Sequence, residues 1–138
     1  MKSENILTAS VSINKPIELV WKLWNKAEHI AKWNAPSADW INKKIENYLV
    51  EGGEFLYAMV KKDGSEKFDF KGTYTEIILH KSLSYTLDDG RKTTITFTGN
   101  EPVNLTEIFE PVTGLDLTMQ QEFCQSVLNK FKVYAEQL

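Results

Sequence analysis

Hydrophobic positions recur with a period of two along most of this chain and with a helical period in two places. Ile6 to Ile13 sets Ile6, Thr8, Ser10 and Ser12 against Leu7, Ala9, Val11 and Ile13, the alternation of a half-buried strand. Asn14-Lys15-Pro16 breaks it, and proline suits a first helical turn, where its missing N–H costs nothing. Ile17, Val20, Trp21 and Trp24 then fall at i, i+3, i+4 and i+7, which predicts a short amphipathic helix. Asn25 is placed to end it and to cap a second short helix, about Ala27 to Trp33, with Ala27, Ile30 and Trp33 on one face. Asn34-Ala35-Pro36-Ser37 reads as a loop, and Trp40 falls in an irregular segment after it.

From Lys43 the period of two returns. Lys43 to Tyr48 is a candidate strand, and Gly52-Gly53 a turn. Phe55, Tyr57 and Met59 alternate with Leu56, Ala58 and Val60, so both faces of that strand offer apolar cover. Lys62-Asp63-Gly64-Ser65 is a hairpin signal. Phe68, Phe70, Gly72 and Tyr74 alternate with polar residues in a strand that runs to about Leu79. Ser82 to Leu87 follows, then the turn Asp88-Asp89-Gly90, then Thr93 to Thr98. Gly99-Asn100-Glu101-Pro102 turns into a last strand, Val103 to Glu110, and Pro111-Val112-Thr113-Gly114 stops it. The helical period then resumes from Asp116 to Leu138. Met119, Phe123, Val127, Phe131, Tyr134 and Leu138 share one face, with Cys124, Leu128 and Ala135 beside it. Thr118 and Gln121 have the capping-box form, and Asp116 is the alternative start.

The predicted order is strand, two short helices, five or six hairpin-linked strands and a long helix. A curved antiparallel meander of six to seven strands with one long apolar helix packed across it is a two-layer α+β solution. At 138 residues, and without repeats or linkers, residues 1–138 form a single domain able to bury a real core.

Composition narrows the function classes. A net charge of −3 gives no electrostatic basis for nucleic-acid binding. A single cysteine excludes an internal disulfide and fits a reducing compartment. Met1 to Asn5 lacks the apolar core of a signal peptide, and no apolar run approaches a membrane span. The expectation is a soluble cytoplasmic protein. His29 and His80 stand apart from each other and from Cys124, so no metal-ligand set forms and no cofactor is implied. His29 is expected in solvent and His80 in a turn. Cys124 is expected to be a buried, inert thiol.

Several local sequences together resemble a known family. Ile13-Asn14-Lys15-Pro16-Ile17 through Val20-Trp21 is similar to its strand-to-helix entry. Glu28-His29-Ile30-Ala31-Lys32-Trp33 is similar to its second helix. Gly52-Gly53-Glu54-Phe55, Lys62-Asp63-Gly64, Gly72-Thr73-Tyr74-Thr75-Glu76-Ile77 and Tyr85-Thr86-Leu87 recur at its spacing. Met119-Gln120, Val127 to Phe131 and Tyr134 resemble its last helix. The chain so resembles the helix-grip fold of the START-like, or SRPBCC, superfamily. Within it, the chain resembles the branch named after the activator of the heat-shock-protein-90 ATPase, specifically that activator's C-terminal domain. The resemblance implies a helix-grip fold from about Ile6 to Glu136. It also implies one of three activities: binding a hydrophobic or aromatic small molecule, acting as a co-chaperone-like interaction module, or polyketide-cyclase-like or hydrolase-like catalysis. Ligand binding is placed first, interaction second and catalysis third; the interaction reading ranks below binding because the founding activator carries a separate docking domain for which residues ahead of Ile6 are expected to leave no room.

Four Trp, five Tyr and seven Phe supply the candidate chemistry. Trp33, Trp40, Phe55, Tyr57, Phe68, Phe70, Tyr74, Tyr85, Phe97, Phe109, Met119, Phe123 and Val127 are the candidate cavity lining. For each one, ordinary core packing is the competing reading. Buried tyrosine hydroxyls need partners, and a wholly packed core has little use for several of them. Two carboxylates are weak catalytic candidates, Glu107 and Glu76. Alternation places Glu107 on one face with Leu105 and Phe109; if that face is inward, burial raises its pKa. The other reading, slightly preferred on sequence, turns Thr106 and Ile108 inward and leaves Glu107 in solvent.

Overall fold

The structure, a computed structural model, describes residues 6–34 and 38–138; Met1 to Asn5 and the loop residues Ala35, Pro36 and Ser37 lie outside these. The elements are β1 (Leu7–Ile13), α1 (Ile17–Asn25), α2 (Ala27–Trp33), β2 (Trp40–Asn47), β3 (Glu54–Lys61), β4 (Lys67–Ile78), β5 (Ser82–Leu87), β6 (Lys92–Gly99), β7 (Val103–Phe109) and α3 (Leu117–Glu136). They form an α+β fold. One seven-stranded antiparallel sheet, ordered β1-β7-β6-β5-β4-β3-β2, curls beneath α3, and α1 and α2 carry the chain from one edge to the other. Antiparallel neighbours need only short turns, so the meander from β2 to β7 follows from the hairpin signals. In the β3–β4 turn, Ser65 N donates to Asp63 Oδ1 at 2.8 Å. In the β5–β6 turn, Arg91 N donates to Asp89 Oδ1 at 3.1 Å.

Three elements depart from the sequence reading. β2 begins at Trp40, not Lys43, because its register shifts between Asn42 and Lys44 and the bulge hides the alternation. The outer row of β3 (Leu56, Ala58, Val60) is only half-buried, so one face of that strand is fully covered, not two. In α3 the cap is Asp116, whose carboxylate accepts from Met119 N at 2.9 Å; Thr118 lies inside the helix.

The buried row of α3 is also rotated from the expected one. Leu128, Phe131 and Ala135 are fully buried and Cys124 half-buried, whereas Met119, Phe123 and Leu138 are exposed. The aromatic stripe misled because size, not burial, made it conspicuous. The smaller residues at 124, 128 and 135 mark the true contact line, which is spaced four, three and four.

A second, polar row explains the rotation. β1 is an edge strand, and α3 runs along its open side. Gln121 Nε2 donates to Thr8 O at 3.1 Å. Gln125 accepts from Ser10 N at 3.2 Å and donates to Ser10 O at 2.8 Å. Lys132 Nζ donates to Ser12 O, and Glu136 Oε2 accepts from Asn14 N at 2.9 Å. A helix advances about 6 Å in four residues and a strand about 6.6 Å in two, so the two rows keep step from Gln121 to Gln125 and from Lys132 to Glu136, while the long Lys132 side chain spans the seven-residue step between them. Orphan backbone groups on the edge are thereby satisfied.

The C-terminal half of α3 closes a filled core. Phe131 meets Trp24 and Trp33 edge-on, both at 5.0 Å between ring centres, and these two tryptophans stack at 4.5 Å. Phe97 joins this cluster at 5.1 Å from Trp21, and His80, in the β4–β5 turn, packs edge-on to Trp21 at 5.7 Å. His29 is not in solvent: its Nδ1 lies 2.6 Å from the Tyr134 hydroxyl and ties α2 to α3. Asn25 ends α1 but does not cap α2; its amide turns inward to donate to Trp21 O at 2.9 Å.

On the sheet, Gly72 faces Phe55 across β3 and β4. A side chain there would come within 2.9 Å of the Phe55 ring and 2.8 Å of Thr86 O, so glycine is what lets the ring lie flat over the strand.

Two stability outcomes follow. Phe131→Ala is expected to cost about 3–5 kcal/mol in denaturant unfolding, while Met119→Ala stays within about 0.5 kcal/mol. Gln125→Ala, which removes both bonds to Ser10, is expected to cost about 1–3 kcal/mol; no loss would mean the edge is satisfied by water.

Candidate functional site

The N-terminal half of α3 stands clear of the sheet, because its pins are on β1 and its apolar contacts lie further along. Beneath it is a cavity of about 320 Å³. β3, β4 and β5 supply its floor. Phe55 lies at the centre, 5.5 Å from Tyr57, 5.4 Å from Phe70, 5.3 Å from Tyr74 and 4.9 Å from Tyr85, ring centre to ring centre. β6 and β7 contribute Thr93, Ile95, Glu107 and Phe109. Cys124 and Val127 of α3, with Val112 and Gln120, form the roof. Gln120 holds the loop before α3 in place, accepting from Val112 N at 2.7 Å and donating to Val112 O at 3.1 Å. Phe68, Leu115 and Phe123, each about half-exposed or more, stand at the mouth beside Arg91 and Glu110.

Of the residues nominated from sequence, Trp33, Phe55, Tyr57, Phe68, Phe70, Tyr74, Tyr85, Phe109, Phe123 and Val127 border this cavity. Trp33 is a fixed wall residue: it is 3% exposed, and its indole N–H donates to Leu23 O at 2.9 Å. Three nominees lie elsewhere. Phe97 is in the filled core with Trp21 and Trp24. Met119 is 65% exposed, on the outward side of α3. Trp40 lies on β2 under the Lys61 ammonium, 5.9 Å from ring centre, in an open groove of about 510 Å³ between α2 and β2 that Lys32 and Lys130 border.

Glu107 faces inward. Pairing counted back from the β6–β7 turn sets Gly99 opposite Val103, Phe97 opposite Leu105 and Ile95 opposite Glu107. Cross-strand partners share a face, and Phe97, Ile95 and Leu105 are buried, so Glu107 shares their side. Ile108, the expected inward residue, is 39% exposed. Glu76 goes the other way: a register shift between Tyr74 and Glu76 leaves it on the surface, away from the cavity.

The partial exposure of Glu107 is to the cavity, not to bulk water. Burial raises its pKa to about 7 from an ordinary 4.5, against the opposing, smaller effect of a hydrogen bond from the Cys124 thiol. Among the described residues the Cys124 thiol, a weak donor, is the one side chain that hydrogen-bonds this carboxyl. The thiol itself is pushed up, first by burial and then by Glu107, so it stays protonated. Cys124 is thus inert as a nucleophile, as expected, but it has a polar neighbour that periodicity alone did not disclose.

Burial also raises the hydroxyls of Tyr57, Tyr74 and Tyr85, which remain neutral donors. Tyr74 is satisfied by Asn47 Oδ1 at 2.5 Å. The hydroxyls of Tyr57 and Tyr85 have no hydrogen-bond partner among the described residues. Arg91, at the mouth, pairs through Nε with Asp89 Oδ2 at 2.7 Å, and Glu110 Oε1 accepts from Lys92 N at 2.7 Å. No group of three or more metal-ligating side chains occurs among the described residues. No helix among them is long and apolar enough to cross a membrane.

A raised carboxyl pKa makes stability fall with rising pH. Between about pH 4.5 and about pH 7 the folded chain keeps the Glu107 proton that the unfolded chain has released. Glu107→Gln removes that dependence. The variant should match the native protein near pH 5 and exceed it by about 1–3 kcal/mol near pH 8, a Tm gain of several degrees. Parallel curves for the two proteins across this window would show a solvated carboxyl.

Comparison with known proteins agrees with this architecture. The model of the family described as Activator of Hsp90 ATPase homolog 1-like protein (AHSA1) matches residues 14–136. The solution structure of an AHSA1-like protein from Aeromonas hydrophila is 37% identical, with a TM-score of 0.86 over 95% of this chain and 93% of that one. A protein from Cytophaga hutchinsonii is 40% identical, with a TM-score of 0.86 over 96% and 93%. One from Chromobacterium violaceum, 21% identical over 97% and 99%, shares the fold with a TM-score of 0.84. No curated protein matches the chain. With its curled seven-stranded sheet and the family match over residues 14–136, the chain belongs to the AHSA1-like family of the START-like, or SRPBCC, superfamily.

Proposed function

We propose that this protein binds a hydrophobic small molecule in the cavity beneath the first half of α3. The observation that carries the reading is the chemistry of the walls. Phe55 and the four aromatic rings around it form an apolar floor, yet on that surface the Tyr57 and Tyr85 hydroxyls have no hydrogen-bond partner among the described residues, and the Glu107 carboxyl has only the weak Cys124 thiol. Buried polar groups of this kind are normally paired, so a bound molecule or water is their natural complement. A volume of about 320 Å³ suits a molecule of one or two rings or a short branched chain. The half-exposed Phe68, Leu115 and Phe123 give an apolar entrance.

The family name refers to a chaperone ATPase, and no feature of the cavity calls for that partner. Glu107 has the buried setting of a general acid or base, but Glu76, the other candidate, is on the surface, and binding requires only that Glu107 be paired.

Titration with N-phenylnaphthylamine, a neutral apolar fluorophore, tests the reading. Saturable fluorescence enhancement at one site per chain is expected. Phe123→Ala should weaken it about five- to tenfold with little change in Tm, since Phe123 is 51% exposed and borders the cavity. Absence of saturable binding, or an unchanged affinity in the variant, would remove the cavity from consideration.

A further inference from the structure

The Glu107 carboxyl is turned into a chamber built of aromatic rings, and no cation among the described residues pairs with it. From α3 it faces the Cys124 thiol, and from β5 and β3 the hydroxyls of Tyr85 and Tyr57, while the Tyr74 hydroxyl of β4 is taken up by Asn47. Its cross-strand neighbours are Ala9 on β1 and Ile95 on β6, neither of which ionises. The other charged groups on the wall are Arg91 and Glu110 at the mouth. Arg91 is engaged by Asp89, and Glu110 by the Lys92 amide. No lysine among the described residues borders the chamber.

A carboxylate has room for about four hydrogen bonds, and a thiol is a weak donor. Aromatic faces attract cations, more strongly when water is excluded. The two features call for one kind of group: a positively charged donor that can pair with Glu107 while its apolar body lies on Phe55 and Phe70. A carboxylic acid in the same place would set like charges together. A neutral alcohol would satisfy hydrogen bonding but draw nothing from the charge.

We infer that the cavity selects hydrophobic amines, with the ammonium group seated between the Glu107 carboxyl and the Tyr57 and Tyr85 hydroxyls and the apolar body against the Phe55 floor. The inference rests on the ligand-binding reading and specifies its chemical class. Because the carboxyl must be ionised to pair with an ammonium, binding strengthens as pH rises through its titration. With ionisation centred near pH 7, the competent fraction grows about tenfold between about pH 6 and about pH 8.

Competition against bound N-phenylnaphthylamine supplies the test, using phenylbutylamine, phenylbutanol and phenylbutyrate at both pH values. The amine is expected to bind about tenfold more tightly near pH 8 than near pH 6, and there to exceed the alcohol and the acid by about tenfold or more. The alcohol should show no such pH dependence. Glu107→Gln should erase the advantage of the amine over the alcohol, each affinity being read against that variant's own fluorophore titration. If that variant does not fold, the pH series on the native protein decides alone. An amine that binds no better than the alcohol, or an advantage that survives Glu107→Gln, overturns the inference but leaves the cavity reading in place. Failure of the fluorophore itself to bind removes the cavity reading, and this inference with it.

Discussion

The attachment of α3 to the open side of β1 sets the rest of the architecture. Glutamines at 121 and 125, Lys132 and Glu136 meet Thr8, Ser10, Ser12 and Asn14 in order. A helix fixed in this way over one edge cannot also lie flat on the middle of a curled sheet. Its apolar row gains full burial only where α1 and α2 rise to meet it, at Leu128, Phe131 and Ala135. Further towards the N-terminus nothing comes up from the sheet to fill the separation, and the cavity is what remains.

The same constraint divides the aromatic residues into two populations. Trp21, Trp24, Trp33, Phe97 and Phe131 touch one another from several directions, as in a dense protein interior. Phe55, Tyr57, Phe70, Tyr74 and Tyr85 also contact one another, but within a single layer, with one side towards empty space. Trp24 and Trp33 belong to both groups and form the partition between them. Which population a ring joins follows from its distance to the buried half of α3, at Leu128, Phe131 and Ala135.

This explains what could be read from the chain beforehand. Element order, hairpin turns and the apolar rows of β3, β5 and β6 follow from local patterns, and these were legible. β2 was blurred at its start because a bulge interrupts alternation there. The rotation of α3 was not legible from its large residues. It becomes so once Gln121 and Gln125 are seen as a polar row facing the period-two serines of β1. Glu107 was readable in principle, since counting back from the turn at Gly99 to Val103 places it beside Ile95. Comparing strand faces by hydrophobicity alone gave the opposite answer, because Thr106 and Ile108 make an equally plausible inner pair. Cys124 opposite Glu107 is a tertiary juxtaposition between residues on separate elements, and no local pattern encodes it.

The bulge in β2 has a consequence for the molecule as a whole. A sheet of seven strands has two free margins, and each is a template on which another chain can add a strand. At β1 that template is occupied by the side chains of α3. At β2 the run of backbone donors and acceptors is broken between Asn42 and Lys44, with Lys43 and Lys44 exposed beside the break. An extended segment approaching from either side therefore finds no uninterrupted ladder to continue. An aromatic-rich sheet that would otherwise invite fibrillar stacking is closed at one margin by its own helix and at the other by an irregularity of a single residue.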